Sequence, residues 1–273
     1  SVIFSCSIIA VAVFVIVGSR IITSGAGRTN KYDVEAGNDI YDNADIENTK
    51  ISEKNKIQNN QSMLDDIMNS TQYPKQLQEL ALKNEEALEF VYDYPTEHVK
   101  EHIVDLTEEA SMDSVPLFVQ WDKRWGYEKY SGNFFAASGC GPTTLSMVVV
   151  YLTHNRDASP LAVAKYSKEA GYSVDGSGSS WTLISEGCRH YGVKAKTVSL
   201  DESRMKAELD AGHPIVVNVG PGDFTDTGHF MVITGYDDEG FSINDPNSIE
   251  KSGKRWLFKN ISSQIRAVWS MYV

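Results

Sequence analysis

One cysteine of the chain lies in a setting that favours nucleophilic chemistry. Cys140 occurs in the run Ala-Ser-Gly-Cys-Gly-Pro-Thr over residues 137–143, and Pro142 suits the first turn of a helix. An apolar helical face follows, formed by Leu145, Val148, Val149 and Leu152. A helix N-terminus stabilises a thiolate through its dipole and its free N–H groups. The sequence therefore predicts a nucleophilic thiol, with a small buried hydrophobe as the alternative.

A thiolate also needs a base that takes up its proton and later protonates a leaving amine. Of the six histidines, His229 is the best candidate, because it stands after Gly228 at the start of a strand-like run. Asp245 ends a later strand-like run and can orient the imidazole. Neighbouring side chains of a strand point to opposite faces, so only one of Asn244 and Asp245 can face His229. The following proline holds the preceding residue extended, which favours Asp245.

An oxyanion formed at Cys140 needs hydrogen-bond donors. Gln120 offers an amide upstream of the thiol, and together with the Cys140 N–H it could form an oxyanion hole. His229 has no second histidine or carboxylate at ligand spacing, and Cys140 has no nearby cysteine, so no metal is implied. The glycine-rich residues 176–180 follow no strand and are predicted to form a turn, so no cofactor is implied either.

The elements that position these residues are helical first and strand-rich afterwards. Helices are predicted over residues 143–153, 160–170, 181–190 and 202–211. Strands are predicted over residues 214–219, 230–234, 240–244, 256–258 and 267–273, separated by Gly, Asp and Pro turns. Helices followed by an antiparallel meander indicate an α+β fold, with a helical layer that contains the cysteine helix packed on an antiparallel sheet.

Four blocks in this order resemble the secreted C39-like cysteine peptidases of Gram-positive bacteria. They are the run Pro-Leu-Phe-Val-Gln-Trp-Asp over 116–122, the Gly-Cys-Gly-Pro block, the Gly-His block and the Asn-Asp-Pro block. The resemblance covers about residues 115–273 and implies a papain-like fold. It also implies that Cys140 is the nucleophile, His229 the base, Asp245 the orienting acid and Gln120 the oxyanion donor.

The chain departs from one branch of that family. Bacteriocin-processing members are fused to an ABC transporter and cut after a double glycine, and this chain has no ATP-binding motif. The resemblance therefore implies hydrolysis of a peptide or protein substrate without fixing its sequence. Two alternatives stay open: hydrolysis of peptidoglycan crosspeptides or amides, or acyl transfer, on the same triad, and a non-catalytic surface-binding module of this fold.

The charge is concentrated in the N-terminal part of the chain. The 273 residues carry a net charge of −12, and residues 1–114 hold 20 acidic against 9 basic side chains. Residues 115–273 are nearly neutral, with 17 acidic against 16 basic side chains. Since no basic stripe is present, a nucleic-acid partner is not expected.

Four segments are predicted along the chain. Residues 1–28 begin with an uncharged apolar run and are interpreted as a membrane segment or secretion signal. Residues 29–71, rich in acids and Asn, are interpreted as a disordered tether. Residues 72–114 are a helical leader whose apolar face docks on the peptidase domain over 115–273. The domain is therefore expected at the extracellular face of the cytoplasmic membrane or in secreted form. Because disulfides form outside the cell, a Cys140–Cys188 disulfide is the alternative to two free thiols.

Overall fold

A computed structural model describes residues 39–273, with side chains described from residue 48 onward. Within the described residues, Lys50–Val273 form one compact unit. The predicted membrane or signal segment over residues 1–28 lies outside the described residues. No helix in the described part of the chain combines the length and the apolar character needed to cross a membrane.

The sheet that carries the histidine has six strands. Their order is β5-β10-β6-β7-β8-β9, and every neighbouring pair is antiparallel. These strands are β5 (Lys194–Thr197), β6 (Ile215–Val219), β7 (His229–Asp237), β8 (Gly240–Asn244), β9 (Arg255–Trp256) and β10 (Ile265–Tyr272). Two further hairpins pair β1 (Lys129–Tyr130) with β2 (Asn133–Phe134) and β3 (Ser173–Val174) with β4 (Gly178–Ser179).

Eleven α-helices lie within residues 39–273. They are α1 (Asp39–Asn69), α2 (Lys75–Lys83), α3 (Leu88–Tyr92), α4 (Tyr94–Glu97), α5 (Phe135–Ser138), α6 (Cys140–Thr153), α7 (Pro160–Glu169), α8 (Thr182–Ser185), α9 (Glu202–Asp210), α10 (Ile249–Ser252) and α11 (Phe258–Ile261). Short 3-10 turns span Glu85–Ala87, Glu109–Ser111, Gly187–Tyr191 and Ser262–Gln264. Helices packed on one antiparallel sheet make the fold α+β, as predicted.

Both faces of the sheet are covered, which explains why its central strand β6 is apolar except for Asn218. All five residues of β6 are buried. Alternate side chains of β6 and β7 point to opposite faces: Val216 and Val232 pack with α6, whereas Val217 and Ile233 pack with Met205 of α9. Packing on both faces therefore holds the sheet in place. The same packing fixes the position of His229, the first residue of β7.

Helix α6 is the central helix of the domain. Residues 141–150 are all buried, and the apolar stripe predicted from the sequence lies in the main core. The Thr144 hydroxyl donates to the Phe230 carbonyl at 3.1 Å. This bond ties the first turn of α6 to the start of β7, which brings Cys140 and His229 together.

The leader folds as several short helices that dock on the domain. Its apolar side chains form a cluster with Phe134 and Ala136, and its members include Leu77, Leu80, Leu88, Phe90 and Val91. The predicted helix over residues 74–94 is interrupted at Asn84, whose side chain accepts a hydrogen bond from the Glu86 N–H at 3.0 Å. Asn84 has an extended backbone (φ −136°), and this break turns the chain toward the domain.

Other elements differ from the sequence predictions in extent. A helix covers 39–69 within the segment interpreted as a tether, and Ile67 is fully buried in the leader cluster. The earlier turns of this helix have few apolar residues, which is why the segment resembled a solvated tether. The helix predicted over 181–190 is α8 followed by a 3-10 turn, and the exposed strand β5 had no alternating pattern to reveal it.

We expect removal of the leader to destabilise the domain. A chain starting at Ser111 loses the leader cluster and exposes Phe134 and Ala136. Each large buried side chain contributes about 1.5–3 kcal/mol, and 1 kcal/mol corresponds to about 2–4 °C in a domain of this size. The melting temperature should therefore fall by about 10 °C or more relative to a chain starting at Lys50, measured by circular dichroism. Equal melting temperatures would show that the leader contributes nothing to stability.

Candidate active site

Cys140 is the first residue of α6 and is partly buried at the end of that helix. The N–H groups of the first helical turn have no partner within the helix and therefore favour an anion there. Gly141 is needed for close packing at this point, because a Cβ on it would overlap the Ser179 Oγ of β4. The small residues around the cysteine thus let the helix end approach the β3–β4 hairpin.

His229 and Asp245 form a buried pair beside the thiol. The His229 Nε2 lies 2.6 Å from the Asp245 Oδ1, and the side chains are 7% and 0% exposed. The imidazole also interacts electrostatically with the Cys140 thiol, and both residues line the same cavity. Since Nε2 is engaged by the carboxylate, Nδ1 is the ring nitrogen available to the sulfur. The three side chains therefore follow each other in the order thiol, imidazole, carboxylate.

Asp245 faces the imidazole, whereas its neighbour Asn244 turns away. The Asn244 amide donates to the carbonyls of Val115 and Pro116, both at 3.1 Å. Asp245 Oδ1 also accepts the Asn247 N–H at 2.8 Å, and its Oδ2 has no hydrogen-bond partner among the described residues. A fully buried carboxylate with so few donors needs a nearby positive charge, and the imidazolium of His229 supplies it.

The electrostatics favour the charged forms of the thiol and the imidazole. Burial alone would depress the pKa of His229, but the charge and hydrogen bond of Asp245, together with Cys140, raise it to about 10. Burial would raise the pKa of the Cys140 thiol, but the hydrogen bond and charge of His229 outweigh it and lower the pKa. These directions describe a thiolate–imidazolium pair, which is the reactive form of a cysteine nucleophile.

Gln120 lies at the same cavity as Cys140 and is 4% exposed. Its backbone N–H donates to the Pro246 carbonyl and its side-chain Nε2 donates to the Ala136 carbonyl, both at 2.7 Å. A primary amide has two N–H donors, so one remains after the bond to Ala136. The structure thus brings together all four residues that the sequence singled out.

Two adjoining cavities open at Cys140. One, of about 490 Å³, is lined by Gln120, the loop over residues 222–228 and residues of the leader helix α2. The other is lined by residues 176–179, by residues 218–221 and by Trp181, which is 47% exposed. Trp125, by contrast, is a core residue, 1% exposed. The thiol therefore faces open space that a ligand can occupy.

Two contributions to the site were not anticipated. The leader residues Asn84 and Glu86 bond to the loop that follows Asp245. The sequence does not single out Glu86, since nothing in the helical period distinguishes one glutamate of the leader from another. Across residues 39–273, no three or more His, Cys, Asp or Glu side chains are arranged to hold a metal ion.

The two described cysteines are both free and differ sharply in environment. Cys188 is 0% exposed in the main core, and burial raises the pKa of its thiol to about 11. At pH 7 we therefore expect iodoacetamide to label Cys140 at least about 100-fold faster than Cys188, because only the thiolate reacts. Mass spectrometry of the two tryptic peptides over time measures both rates.

The His229→Ala variant is the control for this labelling. Without the imidazole the Cys140 thiol loses the group that lowers its pKa, and its labelling at pH 7 should slow. Equal and slow labelling of both cysteines in the wild-type chain would contradict the ion pair.

Comparisons with known proteins identify a family. The model of the Peptidase_C39 like family matches residues 112–273. A search of the curated proteins finds no match. Among solved structures, the chain is similar to the peptidase domain of Streptococcus ComA, a bifunctional ABC transporter involved in a quorum sensing pathway. The identity is 20% and the TM-score 0.42, and the match covers 58% of this chain and 96% of that chain. A C39-like peptidase from Bacillus anthracis is 18% identical with a TM-score of 0.36, covering 58% and 95%.

Proposed function

The chain belongs to the Peptidase_C39 like family, and on that premise we propose that it is a cysteine peptidase that hydrolyses peptide bonds outside the cell. The fold is α+β and papain-like, and the family supports a peptidase-like function. One observation carries the finer proposal: His229 is hydrogen-bonded to the buried Asp245 carboxylate and lies with the Cys140 thiol at one open cavity, where the two groups interact electrostatically. Nucleophile, base and orienting acid thus lie side by side before any substrate arrives.

In the first half of the reaction the Cys140 thiolate attacks the carbonyl carbon of the scissile bond. The carbonyl oxygen becomes an oxyanion, which the Cys140 N–H and the remaining Gln120 N–H stabilise. The imidazolium of His229 then gives its proton to the leaving amine. The C–N bond breaks, an amine leaves, and a thioester joins the acyl part of the substrate to Cys140.

In the second half water hydrolyses that thioester. Neutral His229 takes a proton from the water as its oxygen attacks the carbonyl carbon, and the same two donors hold the new oxyanion. The C–S bond breaks, the carboxylic acid leaves, and the thiolate–imidazolium pair is restored. Asp245 keeps the imidazole in one orientation through both halves and stabilises its charge.

We also propose a location and a partner for this activity. The uncharged apolar residues 1–19 support export, either as a secreted protein or on the extracellular face of the cytoplasmic membrane. The proposed substrate is a peptide or protein, because the family supports a peptidase-like function and the two adjoining cavities at Cys140 leave room for a peptide chain.

Cleavage of a peptide library by the full chain tests the proposed function. Wild-type protein and the Cys188→Ser variant should cut the same peptides, whereas Cys140→Ser should cut none. The products are identified by mass spectrometry, with an added amine to reveal acyl transfer and peptidoglycan fragments as a second substrate set. Cleavage confined to peptidoglycan fragments, net transfer to the amine, or binding without turnover would each replace the proposal.

A further inference from the structure

We propose that Glu86, in the leader, is a positioning residue for the active site, because its carboxylate holds the loop over residues 245–250 and thereby keeps Asp245 against His229. This inference rests on the proposed function. It assigns the leader a part in catalysis in addition to its part in stability.

Glu86 bonds to three consecutive residues of that loop. The Ser248 hydroxyl donates to Oε1, and the backbone N–H groups of Ile249 and Glu250 donate to Oε2 at 2.7 and 3.1 Å. These N–H groups belong to the first turn of α10, where no helical partner exists for them. Hydrogen bonds to a carboxylate are stronger than those between neutral groups. A single leader side chain thus satisfies the start of α10 and fixes its position.

The loop transmits this fixed position to Asp245 over a short path. The Ser248 N–H donates to the Asp245 carbonyl at 3.2 Å, and the Ser252 hydroxyl, in α10, accepts the Asp245 N–H at 2.9 Å. The backbone carbonyl and N–H of Asp245 are therefore bonded to Ser248 and Ser252. The two backbone N–H groups that Glu86 holds lie between these serines in the chain. A shift of α10 would move Asp245 relative to His229.

A second leader side chain holds the middle of the same loop. The Asn84 amide donates to the backbone carbonyl of Asn247 at 2.9 Å and to its side-chain oxygen at 3.1 Å. The Asn247 N–H in turn donates to the Asp245 carboxylate oxygen that contacts His229. The leader therefore reaches the catalytic carboxylate through two independent connections.

These contacts bear on whether the leader stays bound in the active peptidase or is removed on activation. Residues of α2 line the cavity that contains Cys140, so the leader could be taken for a pro-segment that leaves on activation. Its departure, however, would remove five hydrogen bonds from the loop that carries Asp245. We therefore infer that the active peptidase retains the leader.

The neighbouring glutamate offers a matched control. Glu85 is exposed and accepts a hydrogen bond from Asn60 of α1 at 2.8 Å, away from the catalytic loop. Glu86 is half-buried, and the nearest charges on α10 are Glu250, which pairs with Lys254, and Lys251. Glu86→Gln and Glu85→Gln thus remove the same charge from adjacent positions with different contacts.

The experiment compares these variants in the full chain by two readouts. The first is the pH dependence of Cys140 alkylation by iodoacetamide, which needs no substrate. The second is the separate measurement of kcat and KM on a peptide that the wild-type chain cleaves. We expect Glu86→Gln to raise the apparent pKa of the thiol by about half a unit and to lower kcat about 3- to 5-fold, with KM little changed. Glu85→Gln should match the wild type within about 2-fold.

The Glu86→Ala variant removes both side-chain oxygens that accept hydrogen bonds from the loop, so it should lower kcat about 10-fold or more. The inference is overturned if folded Glu86→Gln keeps the wild-type alkylation profile and kcat, even where its melting temperature falls, because Glu86 would then serve stability alone. A wild-type chain that cleaves no peptide would instead refute the proposed function, while the alkylation profiles would still decide whether Glu86 positions the site.

Discussion

Replacing Cys140 by alanine is expected to lower peptide hydrolysis by at least about 10³-fold while the protein stays folded. The reason is chemical, since the thioester intermediate cannot form without the sulfur. The side chain is partly exposed at a helix end, so its loss leaves little cavity. Turnover of a cleaved peptide and the melting temperature, which should change by less than about 3 °C, are the two measurements.

The matched control for this variant is Cys188→Ala. Cys188 is fully buried in the main core, so its replacement creates a cavity and should lower the melting temperature while turnover stays within about 2-fold of the wild type. The opposite result would be full activity in Cys140→Ala and loss of activity in a folded Cys188→Ala. It would identify Cys188 as the nucleophile and contradict the proposed mechanism.

The candidate triad could be predicted from the sequence because each member stands at a marked boundary of an element. Proline and glycine mark the start of α6 at Cys140, a glycine precedes His229 at the start of β7, and a proline follows Asp245 at the end of β8. Strand alternation then allows only one of Asn244 and Asp245 to face His229, and the proline after Asp245 favours the carboxylate. Local patterns therefore carried the identities, whereas the packing of α6 on β7, with the bond from Thr144 to Phe230, is tertiary.

The contribution of the leader could not be predicted in the same way. Glu86 lies 163 positions before Ile249, and no local pattern encodes a hydrogen bond over that separation. Several glutamates of the leader fit a solvated helical face equally well, and only the break at Asn84 turns Glu86 toward the catalytic loop. A similar argument applies to β5, whose residues are mostly exposed and whose pairing with β10 is a tertiary choice.

Replacing Asp245 by asparagine is expected to lower kcat about 10- to 100-fold near pH 7 and to narrow the pH–rate profile, chiefly from its alkaline side. The active ion pair requires a deprotonated Cys140 and a protonated His229. Against the effect of burial, the charge of Asp245 is the leading reason why the pKa of His229 rises to about 10. An amide carries no charge, so the pKa of His229 falls and the alkaline limb should move to lower pH by about one unit or more. A steady-state pH–rate profile of the variant measures both effects.

Asn244→Ala provides the contrast, because this side chain lies beside Asp245 but bonds to Val115 and Pro116 instead of His229. Loss of two hydrogen bonds costs about 1 kcal/mol each, which should lower the melting temperature by a few degrees and leave kcat and the alkaline limb near the wild type. If a folded Asn244→Ala lost more turnover than Asp245→Asn, the orienting role would belong to Asn244, and the contact between Asp245 and His229 would serve the fold.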